Sequence, residues 1–163
     1  MQRRIRAGLG GITLALALAG AAQAHEGAGG DFAVGLGLGV PTGLSIEAAP
    51  TPWTAFELAI GRRDIDRGDL YGHLTLKADV VRLARGYTVI VPIYLGAGAF
   101  LWDRGPGAGT DVGVRFPLGV NFDFTRSPLQ LFVEGALEVT LASNVDPKPP
   151  VGVTGFGGVR VWF

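Results

Sequence analysis

The chain ends on VGVTGFGGVRVWF, Val151 to Phe163. Counted back from Phe163 with a period of two, one face carries Val161, Val159, Val153 and Val151, and the other Arg160 and Thr154. That alternation belongs to a β-strand with one apolar and one mixed face. A terminal strand of this kind needs a partner, because an unpaired row of N–H and C=O groups is an open template for aggregation. Pairing with the first strand would abolish both edges at once, so Val159, Val161 and Phe163 are read as the barrel-closing strand.

The same alternation recurs upstream. From Asp31, Phe32, Val34, Leu36, Leu38 and Val40 share a face opposite Ala33, Gly35, Gly37 and Gly39, and Pro41-Thr42-Gly43 then breaks the run as a tight hairpin. Leu44, Ile46 and Ala48 form the return strand opposite Ser45 and Glu47, until Pro50 and Pro52 end it. A third segment runs from Thr54 to Gly61, and a fourth from Leu70 to Val81, with Arg82 to Gly86 as a short turn. The fifth, Tyr87 to Trp102, contains Pro92, which has no N–H to give a ladder and so calls for a bulge or bend. The sixth sets Val112, Val114, Phe116, Leu118, Val120, Phe122 and Phe124 against Arg115, Asn121 and Asp123. The seventh sets Leu129, Leu131, Val133, Leu137, Val139 and Leu141 against Gln130, Glu134 and Glu138. Eight strands joined by hairpins predict an all-β, eight-stranded antiparallel up-and-down barrel over residues 31–163.

Residues 1–24 carry a different signal. Arg3, Arg4 and Arg6 precede a Leu/Ala-rich apolar run, and Ala22-Gln23-Ala24 is a small-residue cleavage site, the pattern of an export signal peptide. Residues 25–30 are then a flexible, Gly-rich lead. Losing the peptide removes three of the 14 basic residues and none of the 14 acidic ones, which argues against nucleic acid as a partner. With no cysteine there is neither a disulfide framework nor a lipid-anchoring thiol.

Alternation alone leaves open which face looks inward. A soluble lipocalin-like lipid binder would turn the aliphatic face in and the charges out. Three features favour the reverse, with the aliphatic face toward lipid. Gly35, Gly37, Gly39, Gly96, Gly98, Gly113, Gly119 and Gly158 crowd the polar face, where a narrow barrel interior needs small residues. The aliphatic face lacks the few placed polar groups of a ligand cavity. The chain also stops on an aromatic residue at the end of an alternating strand. The interior is therefore predicted to hold Glu47, Glu57, Asp79, Asp123, Glu134 and Glu138 against Lys77, Arg115 and Arg160, with His73 hydrogen-bonded near one end. Isolated buried charges are costly, so these groups should pair into a plug, which argues against a general porin.

GLGLGVPTGLSIE (Gly35 to Glu47), VPIYLGAGAF (Val91 to Phe100), VGVRFPLGVNFDF (Val112 to Phe124), PLQLFVEGALEV (Pro128 to Val139) and the terminal VRVWF together resemble the small outer-membrane β-barrel proteins similar to the OmpA transmembrane domain. The resemblance implies a Gram-negative-type outer membrane, contact with its lipids and lipopolysaccharide, and insertion by the barrel-assembly machinery through the C-terminal strand. It brings no catalytic set and no cofactor, and a monomer is expected. Trp53, Tyr87 and Phe163 near the inner strand ends and Tyr71 and Trp102 near the outer ends suit two aromatic girdles.

Some small outer-membrane barrels modify lipid A, and that chemistry needs a hydroxyl beside a histidine oriented by a carboxylate. Ser45, His73 and Glu47 share inward parity, but one strand separates Ser45 from His73, about 10 Å between backbones. His73-Leu74-Thr75 has Thr where the outer-membrane deacylases have Ser. Metal binding fares no better. His25, as a new amino terminus, would lack a second histidine other than His73. Asp64, Asp66 and Asp69 alternate with Arg62, Arg63 and Arg67 as in a solvated loop touching lipopolysaccharide phosphates. No catalytic, cofactor or metal site is expected.

Overall fold

The computed structural model describes residues 31–66, 68–145 and 151–163. The signal peptide and lead predicted for residues 1–30, together with His25 and Arg67, lie outside them. Every regular element among the described residues is a strand: β1 (Phe32–Gly39), β2 (Thr42–Thr51), β3 (Thr54–Arg62), β4 (Leu70–Arg85), β5 (Val89–Asp103), β6 (Thr110–Phe124), β7 (Leu129–Ser143) and β8 (Val151–Trp162). Each pairs antiparallel with the next, and β8 pairs back onto β1, so the sheet is a closed up-and-down barrel. At the seam Val34 faces Val161 and Leu36 faces Val159, and the Phe163 N–H donates to the Phe32 carbonyl at 2.7 Å.

The closure is staggered. Followed from strand to strand, the row through Ala33 passes Glu47, Glu57, Thr75, Gly98, Arg115 and Glu138 and arrives at Gly152. Yet Ala33 itself pairs with Trp162, ten residues further along β8. A stagger of this size tilts the strands by roughly 35–45° and leaves an interior just wide enough for side chains.

The two faces separate as the alternation predicts. Outward positions carry Leu36, Leu74, Leu118, Val133, Leu137 and Val153, all exposed, while the charged positions are buried. Interior glycines make room for aromatic rings: a Cβ on Gly37 would stand 2.0 Å from the Phe156 ring, and one on Gly119 2.3 Å from Tyr94.

Strand boundaries depart from expectation at two places. Residues 82–85 continue β4 instead of forming a turn, and β5 begins at Val89 rather than Tyr87. Two register shifts absorb this extension, one of them where Arg82 and Ala84 oppose Pro92 and Val91, which is the bulge that Pro92 demanded. Arg82 is held there by donating to the Pro52 carbonyl at 2.8 Å and by stacking 4.2 Å from the Trp53 ring. The β5–β6 ladder breaks twice, between Ile90 and Ile93 and between Leu95 and Gly98, beside Pro92 and opposite Pro117. A proline cannot donate to a ladder, which accounts for both gaps.

Tyr71 and Trp102 are not girdle residues. They pair across β4 and β5 on the inward parity, where the Tyr71 hydroxyl donates to Glu138 and the Trp102 indole N–H donates to Asp69 at 2.8 Å. A polar handle with a buried partner outweighs a place at the surface. Trp53, Tyr87 and Phe163 do point outward, at the end of the barrel that holds both β1 and β8 termini.

Candidate functional site

The centre of the barrel is organised by Arg160 of β8, which is fully buried. Its Nε donates to Ser45 Oγ at 2.9 Å, its Nη1 to Glu47 Oε2 at 2.7 Å and to Gln130 Oε1 at 3.0 Å, and its Nη2 to Glu57 Oε1. The guanidinium lies 3.7 Å from the centre of the Phe132 ring. Lys77 of β4 approaches the same two carboxylates, reaching Glu57 Oε2 at 3.0 Å and also bonding Glu47. Two cations and two carboxylates from four strands thus close one charge-neutral cluster across the lumen.

A second cluster sits beside it. Arg115 Nη2 donates to Glu134 Oε1 at 2.6 Å and Nη1 to Thr75 Oγ1 at 3.1 Å, while the Tyr94 hydroxyl donates to Glu134 Oε2 at 3.0 Å. Toward the far end Glu138 accepts from Arg63 at 2.9 Å, from Thr154 at 3.1 Å and from Tyr71. Arg63 and Arg104 then sandwich the Trp102 ring at 4.4 and 4.1 Å, and Arg104 pairs with Asp111. Asp123 accepts from Gln130 at 2.7 Å.

Nine of the ten residues expected inside, Glu47, Glu57, His73, Lys77, Arg115, Asp123, Glu134, Glu138 and Arg160, are buried there. The tenth, Asp79, is only half-buried and sits at the near mouth, 3.6 Å from Arg82. Ser45, Thr75, Tyr71, Tyr94, Gln130, Arg63, Asp69 and Asp111 join the network without having been singled out for it. Ser45 and Gln130 were placed on the charged face, whereas Tyr71 was assigned to a girdle. Asp69 was placed in a solvated loop, but it is buried, accepting from the backbone N–H groups of Arg63 and Asp64 as well as from Trp102.

His73 differs from expectation: it is buried, yet neither ring nitrogen has a hydrogen-bond partner in the protein. Its ring stands edge-on to Tyr71 and Phe156, with centroids 5.9 Å away in each case. Ala59 separates it from Ser45 in the register, as the strand count required. The Ser45 hydroxyl instead donates to Glu57 at 3.2 Å and accepts from Arg160. The Ser45 proton is thus directed at Glu57 rather than at His73, and the serine–histidine pair is not formed.

Ligand atoms of Glu57, His73 and Glu134 lie within 4.8 Å of one another. A dication there would have to displace Lys77, Arg115 and Arg160, which already pair with Glu57 and Glu134. The surroundings thus disfavour a metal ion.

No family model, curated protein or solved structure matches this chain.

Proposed function

We propose that this chain is an integral outer-membrane β-barrel protein with a closed polar core. Its role is structural, stabilising the envelope, or lies in surface interactions of the outer loops. The observation that carries this reading is the inverted burial: Arg160, Arg115, Glu57 and Glu134 are sealed inside while leucines, valines and phenylalanines cover the outside. In water such an exterior would be one continuous aggregation surface, whereas in lipid it is the required one. A soluble lipid binder would need the opposite arrangement. The resemblance to small OmpA-like barrels, export through residues 1–24, a monomeric state, insertion through the C-terminal strand and contact with lipopolysaccharide all belong to this proposal.

Cell fractionation combined with a heat-modifiability gel tests it. The protein is expected in the outer-membrane fraction, with an unboiled band that migrates apart from the boiled one. Release in soluble form without detergent would sink the reading.

The ion pairs cross the lumen rather than lining it, so the purified barrel should give no large, stable conductance steps in planar-bilayer recordings. Such steps would show the plug to be open.

The alternative of a lipid A-modifying enzyme makes a separate prediction. His73→Gln should leave the host's lipid A species unchanged and shift stability by about 1 kcal/mol or less, because no protein hydrogen bond to His73 is lost. An acylation change caused by the wild-type protein, seen by mass spectrometry and abolished in both His73→Gln and Ser45→Ala, would overturn this view.

A further inference from the structure

At the far rim, the end away from the β1 and β8 termini, four strand ends line up. Leu70 of β4 faces Asp103 of β5, and Asp103 faces Thr110 of β6. The Asn144 N–H, just past β7, donates to the Thr110 carbonyl at 3.3 Å. Leu70, Asp103 and Thr110 share the outward parity of Leu101 and Val112, which are exposed and stand two residues nearer the barrel's middle. The row therefore lies just beyond the outer limit of the apolar band on this wall. Over it folds the β5–β6 loop, where Pro106–Gly107 makes a type II turn: the Ala108 N–H donates to the Gly105 carbonyl at 3.1 Å, and Gly107 has a φ of +75°. Loop and row enclose a cleft of about 780 Å³, a size suited to a small ligand.

The cleft offers acceptors and donors side by side. Asp103 Oδ1 accepts from the Gly105 N–H at 3.1 Å, and its second oxygen has no partner among the described residues. Asn144 Oδ1 accepts from the Thr110 N–H, which leaves its amide hydrogens to donate, and the N–H groups of Gly107 and Gly109 have no acceptor among the described residues. A ligand that satisfies this lining has to donate to a carboxylate and accept from amides at adjacent positions, and a hydroxyl does both. Leu70 and Pro106 add apolar surface of the kind that the C–H face of a sugar ring covers. Phosphate is a poor match. None of the described residues lining the cleft is basic, and Arg104, the nearest cation in sequence, is turned inward onto Asp111 and Trp102. Calcium is a poor match too, because it takes about six to eight oxygen ligands and would meet N–H donors here.

Resting on the outer-membrane reading above, we propose that this cleft binds a sugar in the headgroup of a neighbouring outer-leaflet glycolipid, with Asp103 and Asn144 recognising its hydroxyls. The outward parity of the row favours a membrane glycolipid over a soluble glycan. The cleft opens sideways, at the level where headgroups surround the barrel, and not upward from the lumen.

The test is a titration of the ¹⁵N-labelled protein, refolded in dodecylphosphocholine micelles, with its amide resonances followed by NMR. Three probes are added separately: rough-type lipopolysaccharide, its core oligosaccharide freed from lipid A and dephosphorylated, and inorganic phosphate. The expected result is saturable shifts at the Gly107 and Gly109 amides and the Asn144 side-chain amide with both sugar probes and none with phosphate. Half-saturation should come at a concentration at least tenfold lower for the lipopolysaccharide, because barrel and lipid share one micelle. Asp103 is exposed, so Asp103→Ala should keep the folded spectrum while raising both half-saturation points roughly tenfold, the loss of a hydrogen bond to a charged group. A micelle-held, folded barrel whose resonances ignore both sugar probes overturns the proposal and leaves the membrane reading standing. Shifts with phosphate alone, or unchanged binding in Asp103→Ala, overturn it as well. Equal half-saturation for free and lipid-linked sugar would remove the glycolipid as the ligand. If the protein stays folded and soluble without detergent, the membrane reading itself fails, and the proposal falls with it.

Discussion

Replacing Arg160 with Met is expected to destabilise the folded barrel by about 3–5 kcal/mol, read as a lower urea midpoint for unfolding from detergent micelles. The substitution keeps an unbranched apolar stem but removes the guanidinium, and with it the stacking on Phe132 and the donors to Ser45, Glu47, Glu57 and Gln130 together. Among the described residues, Lys77 is then left to pair directly with both buried carboxylates. Leaving a charge buried without its partner is what makes the loss large. The intact pair is worth far less than the damage done by breaking it, since its Coulomb gain mostly offsets desolvation. Removing a carboxylate as well should therefore recover much of the loss, and the double variant Arg160→Met, Glu57→Gln is expected to be more stable than Arg160→Met alone. Wild-type stability in Arg160→Met would mean that the guanidinium does not hold the core together.

The second large effect is expected at the seam. A Cβ on Gly158 would stand 2.1 Å from the Leu36 carbonyl oxygen and 2.7 Å from Gly37 Cα, and one on Gly35 1.9 Å from the Val159 carbonyl oxygen. These neighbours are backbone atoms of the facing strand, so no side chain can swing aside to make room. Gly158→Val and Gly35→Val should each push β1 and β8 apart. The cost is expected at or above the top of the roughly 1–3 kcal/mol range seen for overpacking, with loss of the heat-modifiable folded band. Gly135→Ala is the control, because nothing lies within 4 Å of its added Cβ and the folded band should persist. A normal folded band for Gly158→Val would show that the seam has slack.

Much of the fold was legible because a strand repeats its faces every two residues. Parity alone separated Glu57, Lys77, Arg115, Glu134 and Arg160 from the leucines and valines between them, and hairpin breaks such as Pro41 and Pro128 marked the strand count. Errors arose where parity competed with composition. Tyr71 lies two residues before His73 and shares its face, yet an aromatic near a strand end was read as a girdle residue. Arg82 to Gly86 were read as a short turn, but two bulges and the Pro52 carbonyl hold Arg82 in β4. Asp69 looked solvated among arginines, and only the closing of the β3–β4 loop onto Trp102 buries it.

What the sequence determined by itself, then, was the inward or outward direction of nearly every strand residue and the need for the last strand to close the sheet, since both follow from local periodicity and from the cost of an open edge. Only the tertiary structure decided which inward groups meet. Glu47 faces Glu57 across β2 and β3 and Gln130 faces Arg160 across β7 and β8, but the two pairs belong to different hairpins that nothing local brings together. Their meeting depends on the ten-residue stagger with which the sheet closes, because that stagger sets the height of each residue in the lumen. The stagger belongs to the whole ring of eight strands and appears in no single stretch of the chain. For the same reason the sequence could assign His73 to the interior while its two partnerless nitrogens emerged only when Tyr71, Phe156 and the two ion clusters took their places around it.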